Sequence, residues 1–141
     1  MDDISRNIDQ QLQEAYLATI YEVKHLGLQL RIGEENWNLE EFLIDNNAFS
    51  WAFISAWNPF SQLLSPKENN ILHLKLIELA KNKRWIYTEG LGVPQNKGWE
   101  AEKSLFILDI PKSEAVILGK TFNQNAIVIG RLGKAPELLF L

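Results

Sequence analysis

A chain of 141 residues with 46% hydrophobic and 23% charged residues has the size and composition of one soluble globular domain, able to bury roughly two-thirds of its unfolded surface. It contains no cysteine, which excludes disulfides, zinc–thiolate sites and thiol nucleophiles. The net charge of −4 lacks the strong basic face of a duplex-binding domain, so nucleic acid is not an expected partner.

Acidic residues concentrate in the first 50 positions, which hold ten Asp/Glu against Arg6, Lys24 and Arg31. The opening MDDISRNIDQQLQEA is the reverse of a secretory signal. The longest uncharged run, residues 46–66, is interrupted by Asn, Ser and Pro, too broken to span a bilayer. The expectation is a cytoplasmic protein with no membrane partner.

Along the chain, Ile4, Ile8, Leu12, Ala15 and Leu17 recur at helical spacing and predict an N-terminal helix over 4–18. Thr19–Val23 and Leu26–Ile32 alternate in polarity, and Lys24, His25 and Gly27 supply a turn between them, so a hairpin follows. Asn38 is placed to cap a short helix from Leu39 to about Asn46, with Glu40 and Glu41 in its first turn. Phe49–Ala56 reads as a buried strand. Ser65-Pro66-Lys67-Glu68 is a strong helix start, with Ser at the cap, Pro at the first position and Glu three after the cap. That helix runs to about Lys83.

Arg84–Thr88 is a short strand, and Glu89–Lys103, with its Gly90, Gly92, Pro94 and Gly98, is expected as a long turn-rich loop. Ser104–Ile110 is a strand, Pro111 opens a helix to about Thr121, and Ala126–Leu132 and Glu137–Leu141 are strands. Residues 49–132 therefore read β-α-β-β-α-β, the split βαβ or ferredoxin-like order. The expected fold is an α+β sandwich, with two helices on one face of an antiparallel sheet. Residues 1–47 add the N-terminal helix and hairpin to a 48–141 core, and the last strand is a further addition. No repeat or low-complexity segment divides the chain, so 1–141 is one domain.

In such a sheet the turns at Asn58-Pro59, Glu89-Gly90, Glu102-Lys103 and Gln124-Asn125 share one rim with the start of the 66–83 helix. Asn69 falls on the inward face of that helix, where an unpaired amide costs on the order of 1–3 kcal/mol. It is expected to bond either to the Asn58 turn or to Gln124-Asn125. Buried amides often do no more than tie loops together; converging on one edge, they can also hold a polar ligand. Candidate ligand-binding residues are Asn58, Asn69, Glu89, Gly90, Trp99, Gln124 and Asn125. Trp99 would either stack on a planar ligand or close its loop over the core, and Glu89 could shuttle a proton if partly buried. His25 and His73 have no ligand spacing and no serine has an evident base, so neither a metal nor a catalytic triad is expected. No cofactor is expected.

The run Phe53-Ile54-Ser55-Ala56-Trp57-Asn58-Pro59 is followed by Leu64-Ser65, Asn69, Glu89-Gly90, Ser104-Leu105, Ala115, Leu118-Gly119 and Phe122-Asn123-Gln124-Asn125-Ala126. This combination resembles a bacterial family known as domain of unknown function 3293, over about Tyr16 to Leu139. Asn123 stands where that family tends to have Gly, and Ile129 where it tends to have Trp. The resemblance supports the rim as a unit and implies no activity.

The leading expectation is a module that binds a small polar or anionic ligand, such as a nucleotide, near the backbone amides at the start of the 66–83 helix. A hydrolase or transferase using Glu89 or Glu102 as acid/base is the alternative. A third reading is a structural or interaction domain, with copies pairing through a sheet edge.

Overall fold

The computed structural model describes residues 3–95 and 100–141, with side chains from Gln10 onward. Four α-helices and seven strands stand among the described residues. In chain order they are α1 (Asp3–Leu17), β1 (Thr19–Val23), β2 (Leu28–Leu30), α2 (Trp37–Asp45), β3 (Ser50–Ser55), α3 (Pro66–Asn82), β4 (Ile86–Pro94), β5 (Glu102–Leu108), α4 (Lys112–Thr121), β6 (Ala126–Arg131) and β7 (Glu137–Phe140). The fold is α+β: the strands form one sheet in the order β2-β1-β4-β5-β3-β6-β7, and every neighbouring pair is antiparallel. No described helix is long and apolar enough to cross a membrane.

Two-residue alternation divides the core between the two faces of the sheet. Ala52, Ile54, Leu105, Ile107 and Ile127 point to one face, where Leu76 and Ala80 of α3 and Ala115 and Leu118 of α4 cover them. Tyr21, Trp51, Phe53, Phe106 and Val128 point to the other, against Leu39 and Leu43 of α2. The N-terminal third, read from sequence as an addition to the core, thus extends the sheet with β1 and β2 and covers its second face with α2.

Local chemistry accounts for the helix starts. Ser65 accepts from the Glu68 N–H at 3.2 Å and donates to its carboxylate at 2.9 Å, with Pro66 at the first helical position. The cap of α2 is Asn36 rather than Asn38. Asn36 is extended (φ −131°), accepts from the Leu39 N–H at 3.0 Å and donates to the Gln29 carbonyl at 3.0 Å. That second bond, to β2, is a tertiary contact that draws the start of the helix back past Asn38.

The expected loop over 89–103 is instead largely strand. β4 continues through Glu89, Gly90, Leu91 and Gly92 to Pro94, pairing with β5 on one side and β1 on the other. Gly90 serves packing here, not turning. A Cβ on Gly90 would stand 2.7 Å from a Phe53 ring carbon and 2.8 Å from the Glu22 carbonyl oxygen. Gly90 is the gap into which β3 sends its Phe53 ring.

Candidate functional site

Where β3 ends, the backbone enters conformations that side chains rarely adopt. Asn58, Phe60 and Ser61 have φ of 45°, 53° and 59°. Asn tolerates this left-handed region; for Phe and Ser it costs on the order of 1 kcal/mol each. The turn is held from outside, because the Phe60 N–H donates to the Asn123 carbonyl at 2.7 Å. Asn123 itself has φ 53°, in the left-handed region that Asn and Gly adopt most readily.

Asn58 is the hub of this corner. Its backbone N–H donates to Asn69 Oδ1 at 2.8 Å, and its own Oδ1 accepts from Asn69 Nδ2 at 2.7 Å and from the Leu64 N–H at 3.0 Å. Its Nδ2 donates to Glu102 Oε1 at 3.1 Å. Nearby, Gln124 Nε2 donates to the Trp57 and Phe122 carbonyls, each at 3.2 Å, and Asn125 Nδ2 donates to Ser61 Oγ at 2.8 Å.

Beside this hub a cleft of about 160 Å³ opens between the last turns of α1 and the sheet face that also carries Phe53. Asn58, Gln124 and Asn125 line it, together with Tyr16, Tyr21 and Glu102. Burial raises the Glu102 carboxyl above its usual 4.5, opposed by the hydrogen bond from Asn58. Burial foremost, and then the neighbouring Glu102 charge, push the Tyr16 hydroxyl up to about 12, against the lowering influence of Ser61 and the Ala126 backbone. Tyr21 is raised further, by burial first and by Tyr16 next, and its hydroxyl donates to the Tyr16 carbonyl at 3.2 Å. Two neutral phenols and one acid of raised pKa therefore share a cleft with carboxamides and hydroxyls. Such a set can donate and accept hydrogen bonds and can hold or release a proton at Glu102.

Sequence reasoning brings together Asn58, Gln124 and Asn125, and the structure places all three on the cleft. Asn69 is buried behind them, its amide committed to Asn58. Glu89 and Gly90 do not join them. With β4 running on to Pro94, Gly90 is enclosed by Phe53, and Glu89 points to the α3 face, where His73 Nε2 lies 2.7 Å from its carboxylate. Trp99 lies outside the described residues. Glu102 is on the rim as its position in the motif implies. Tyr16 and Tyr21 were not anticipated, since nothing in their spacing separates them from ordinary core aromatics. Among the described residues no cluster of three or more His, Asp or Glu is arranged to hold a metal.

The family model described as Protein of unknown function (DUF3293) matches residues 54–127. The chain belongs to this family. No curated protein and no solved structure matches it. The DUF3293 segment begins in β3 and ends in β6, and so contains Asn58, Asn69, Glu102, Gln124 and Asn125. Tyr16 and Tyr21 lie before it. Most of the cleft's sheet wall thus comes from the DUF3293 segment, with β1 beside it, and the opposite wall from α1.

Proposed function

We propose that the cleft between α1 and the sheet is a binding site for a small polar ligand. The observation that carries this is the meeting of Asn58, Glu102, Asn125 and Tyr16, from four separate segments, around one cleft beside a strained turn. Strain held in place by surrounding structure is characteristic of ligand sites, and a concave, mainly apolar pocket with a few convergent polar groups is the usual form of one. The ligand is read as polar and not anionic. Lysine, arginine and histidine are absent from the described residues lining the cleft, and none of the residues at the start of α3 lines it either. Around this site, the strand order β4-β5-β3-β6 with α3 and α4 on one face supports reading residues 49–132 as a split βαβ sandwich.

A test is a titration of isotopically labelled protein with pools of small polar metabolites, followed by amide NMR. Binding should shift the side-chain amides of Asn58 and Asn125 together. If no pool moves them, or shifts map elsewhere on the surface, the cleft is not a ligand site. A second reading, general acid/base catalysis, is favoured by one observation: the raised carboxyl of Glu102 faces the cleft, whereas Glu89 does not. In that case Glu102→Gln would abolish any turnover found, while Glu89→Gln would spare it.

A further inference from the structure

The cleft contains one carboxylate and no matching cation among its described lining residues. The one hydrogen bond to that carboxylate among the described residues comes from Asn58 Nδ2, at 3.1 Å. Alternation along β5 carries Lys103 away from the cleft. Its Nζ donates to Asn70 Oδ1 of α3 at 2.9 Å and stands 6.0 Å over the Trp57 ring, without lining the cavity.

Besides its carboxamides and hydroxyls, the cleft is lined by the aromatic and apolar side chains of Tyr16, Tyr21, Phe53, Trp57 and Leu63. Tyr21 and Phe53 pack edge to face with centroids 5.2 Å apart. A half-buried carboxylate with no cation lining the cleft beside it, in a space that aromatic rings also line, is matched by an organic cation. Ring faces attract ammonium groups, and the Coulomb attraction to a carboxylate grows as water is excluded. An anion would meet repulsion in the same place, and a neutral ligand would leave the carboxylate desolvated without compensation. The space of about 160 Å³ is close to that of a cavity of roughly 150 Å³ that takes up benzene, so it suits a body of one ring.

We propose that the cleft selects a small organic ammonium ion, whose N–H groups donate to Glu102 and whose apolar body lies among Tyr16, Trp57 and Leu63. This inference rests on the ligand-binding reading above and adds the charge class of the ligand.

Three probes with one carbon skeleton test it: phenethylamine as the cation, 2-phenylethanol as the neutral form and phenylacetate as the anion. Each is titrated at pH 7 into the wild type, Glu102→Gln and Glu102→Asp, with binding read from amide shifts at the cleft. Phenethylamine should bind the wild type at least tenfold more tightly than 2-phenylethanol, lose that advantage in Glu102→Gln and keep part of it in Glu102→Asp. Phenylacetate should be the weakest of the three. Equal binding of the amine and the alcohol, or strongest binding of phenylacetate, would overturn the charge class while leaving the cleft a binding site. Failure of all three probes to move any cleft residue would overturn both readings. The wild-type comparison decides between these outcomes even if a Glu102 variant fails to fold.

Discussion

Asn58 and Asn69 satisfy one another across the start of α3: the Asn58 backbone N–H donates to Asn69 Oδ1 at 2.8 Å, and Asn69 Nδ2 donates back to Asn58 Oδ1 at 2.7 Å. This reciprocal pair fixes the angle at which the strained turn leaves β3, and with it the position of the Asn58 amide against Glu102.

Replacing either partner leaves buried polar groups without bonds. Asn58→Ala is expected to lower stability by about 3 kcal/mol and Asn69→Ala by about 2 kcal/mol, measured by urea unfolding. The double variant should cost at least about 1 kcal/mol less than the sum, because the second deletion removes a group the first had stranded. Strict additivity would show that the two amides act independently.

The pH dependence of stability follows from Glu102. Burial raises its carboxyl above 4.5 in the folded protein. Below that pH the group is protonated in both states and costs nothing. As pH rises the unfolded chain loses its proton first, so stability falls until the folded carboxyl has ionised as well, and then levels off. Glu102→Gln should therefore match the wild type in melting temperature near pH 4 and exceed it at pH 8. A second consequence concerns Tyr16, whose hydroxyl is pushed up to about 12 partly by the Glu102 charge. The same charge also raises Tyr21, so ultraviolet titration of Glu102→Gln should show both Tyr16 and Tyr21 ionising at lower pH than in the wild type. Identical titration curves would separate Tyr16 from Glu102.

Gly90 is expected to be intolerant of a side chain. A Cβ there meets the Phe53 ring at 2.7 Å and the Glu22 carbonyl at 2.8 Å, and such overpacking costs about 2 kcal/mol. Gly90→Ala should lower the urea midpoint, and Phe53→Leu in the same chain should recover part of the loss. A Gly90→Ala protein as stable as the wild type would mean that β4 is not packed against Phe53.

His73 and Glu89 offer a test of a different kind. The imidazole is buried on the inner face of α3, its Nε2 lies 2.7 Å from Glu89, and its Nδ1 has no partner among the described residues. Glu89→Ala strands Nε2 and should cost about 1 kcal/mol, whereas His73→Leu removes both ring nitrogens and should be nearly neutral. Neither change should affect binding at the cleft, since both groups lie on the other sheet face. Weakened phenethylamine binding in Glu89→Ala would contradict that separation.

The helices and most strands were legible in the sequence because their causes are local. The Ser65-Pro66 start of α3 needs only four consecutive residues, and the alternation that makes Phe53 and Ile54 face opposite ways needs only the pleat of one strand. Glycines were read less well. Gly90 and Gly92 have the look of a turn, and that the missing Cβ of Gly90 serves a close approach depends on Phe53, far away in the chain. Asn36 likewise became the cap of α2 because Gln29, on the preceding strand, offers its carbonyl as a second anchor.

By itself, then, the amino-acid sequence determined the periodic segments, their order, and the gathering of Asn58, Gln124 and Asn125 toward one edge, since these follow from short-range sterics and from the direction of each strand. The cleft was decided only by tertiary structure. Tyr16, Tyr21 and Glu102 meet there because β1 pairs with β4, and because α1 brings Tyr16 over the face opposite α3 and α4. Both depend on strand register and on which side of the sheet a helix covers, and no local pattern encodes either.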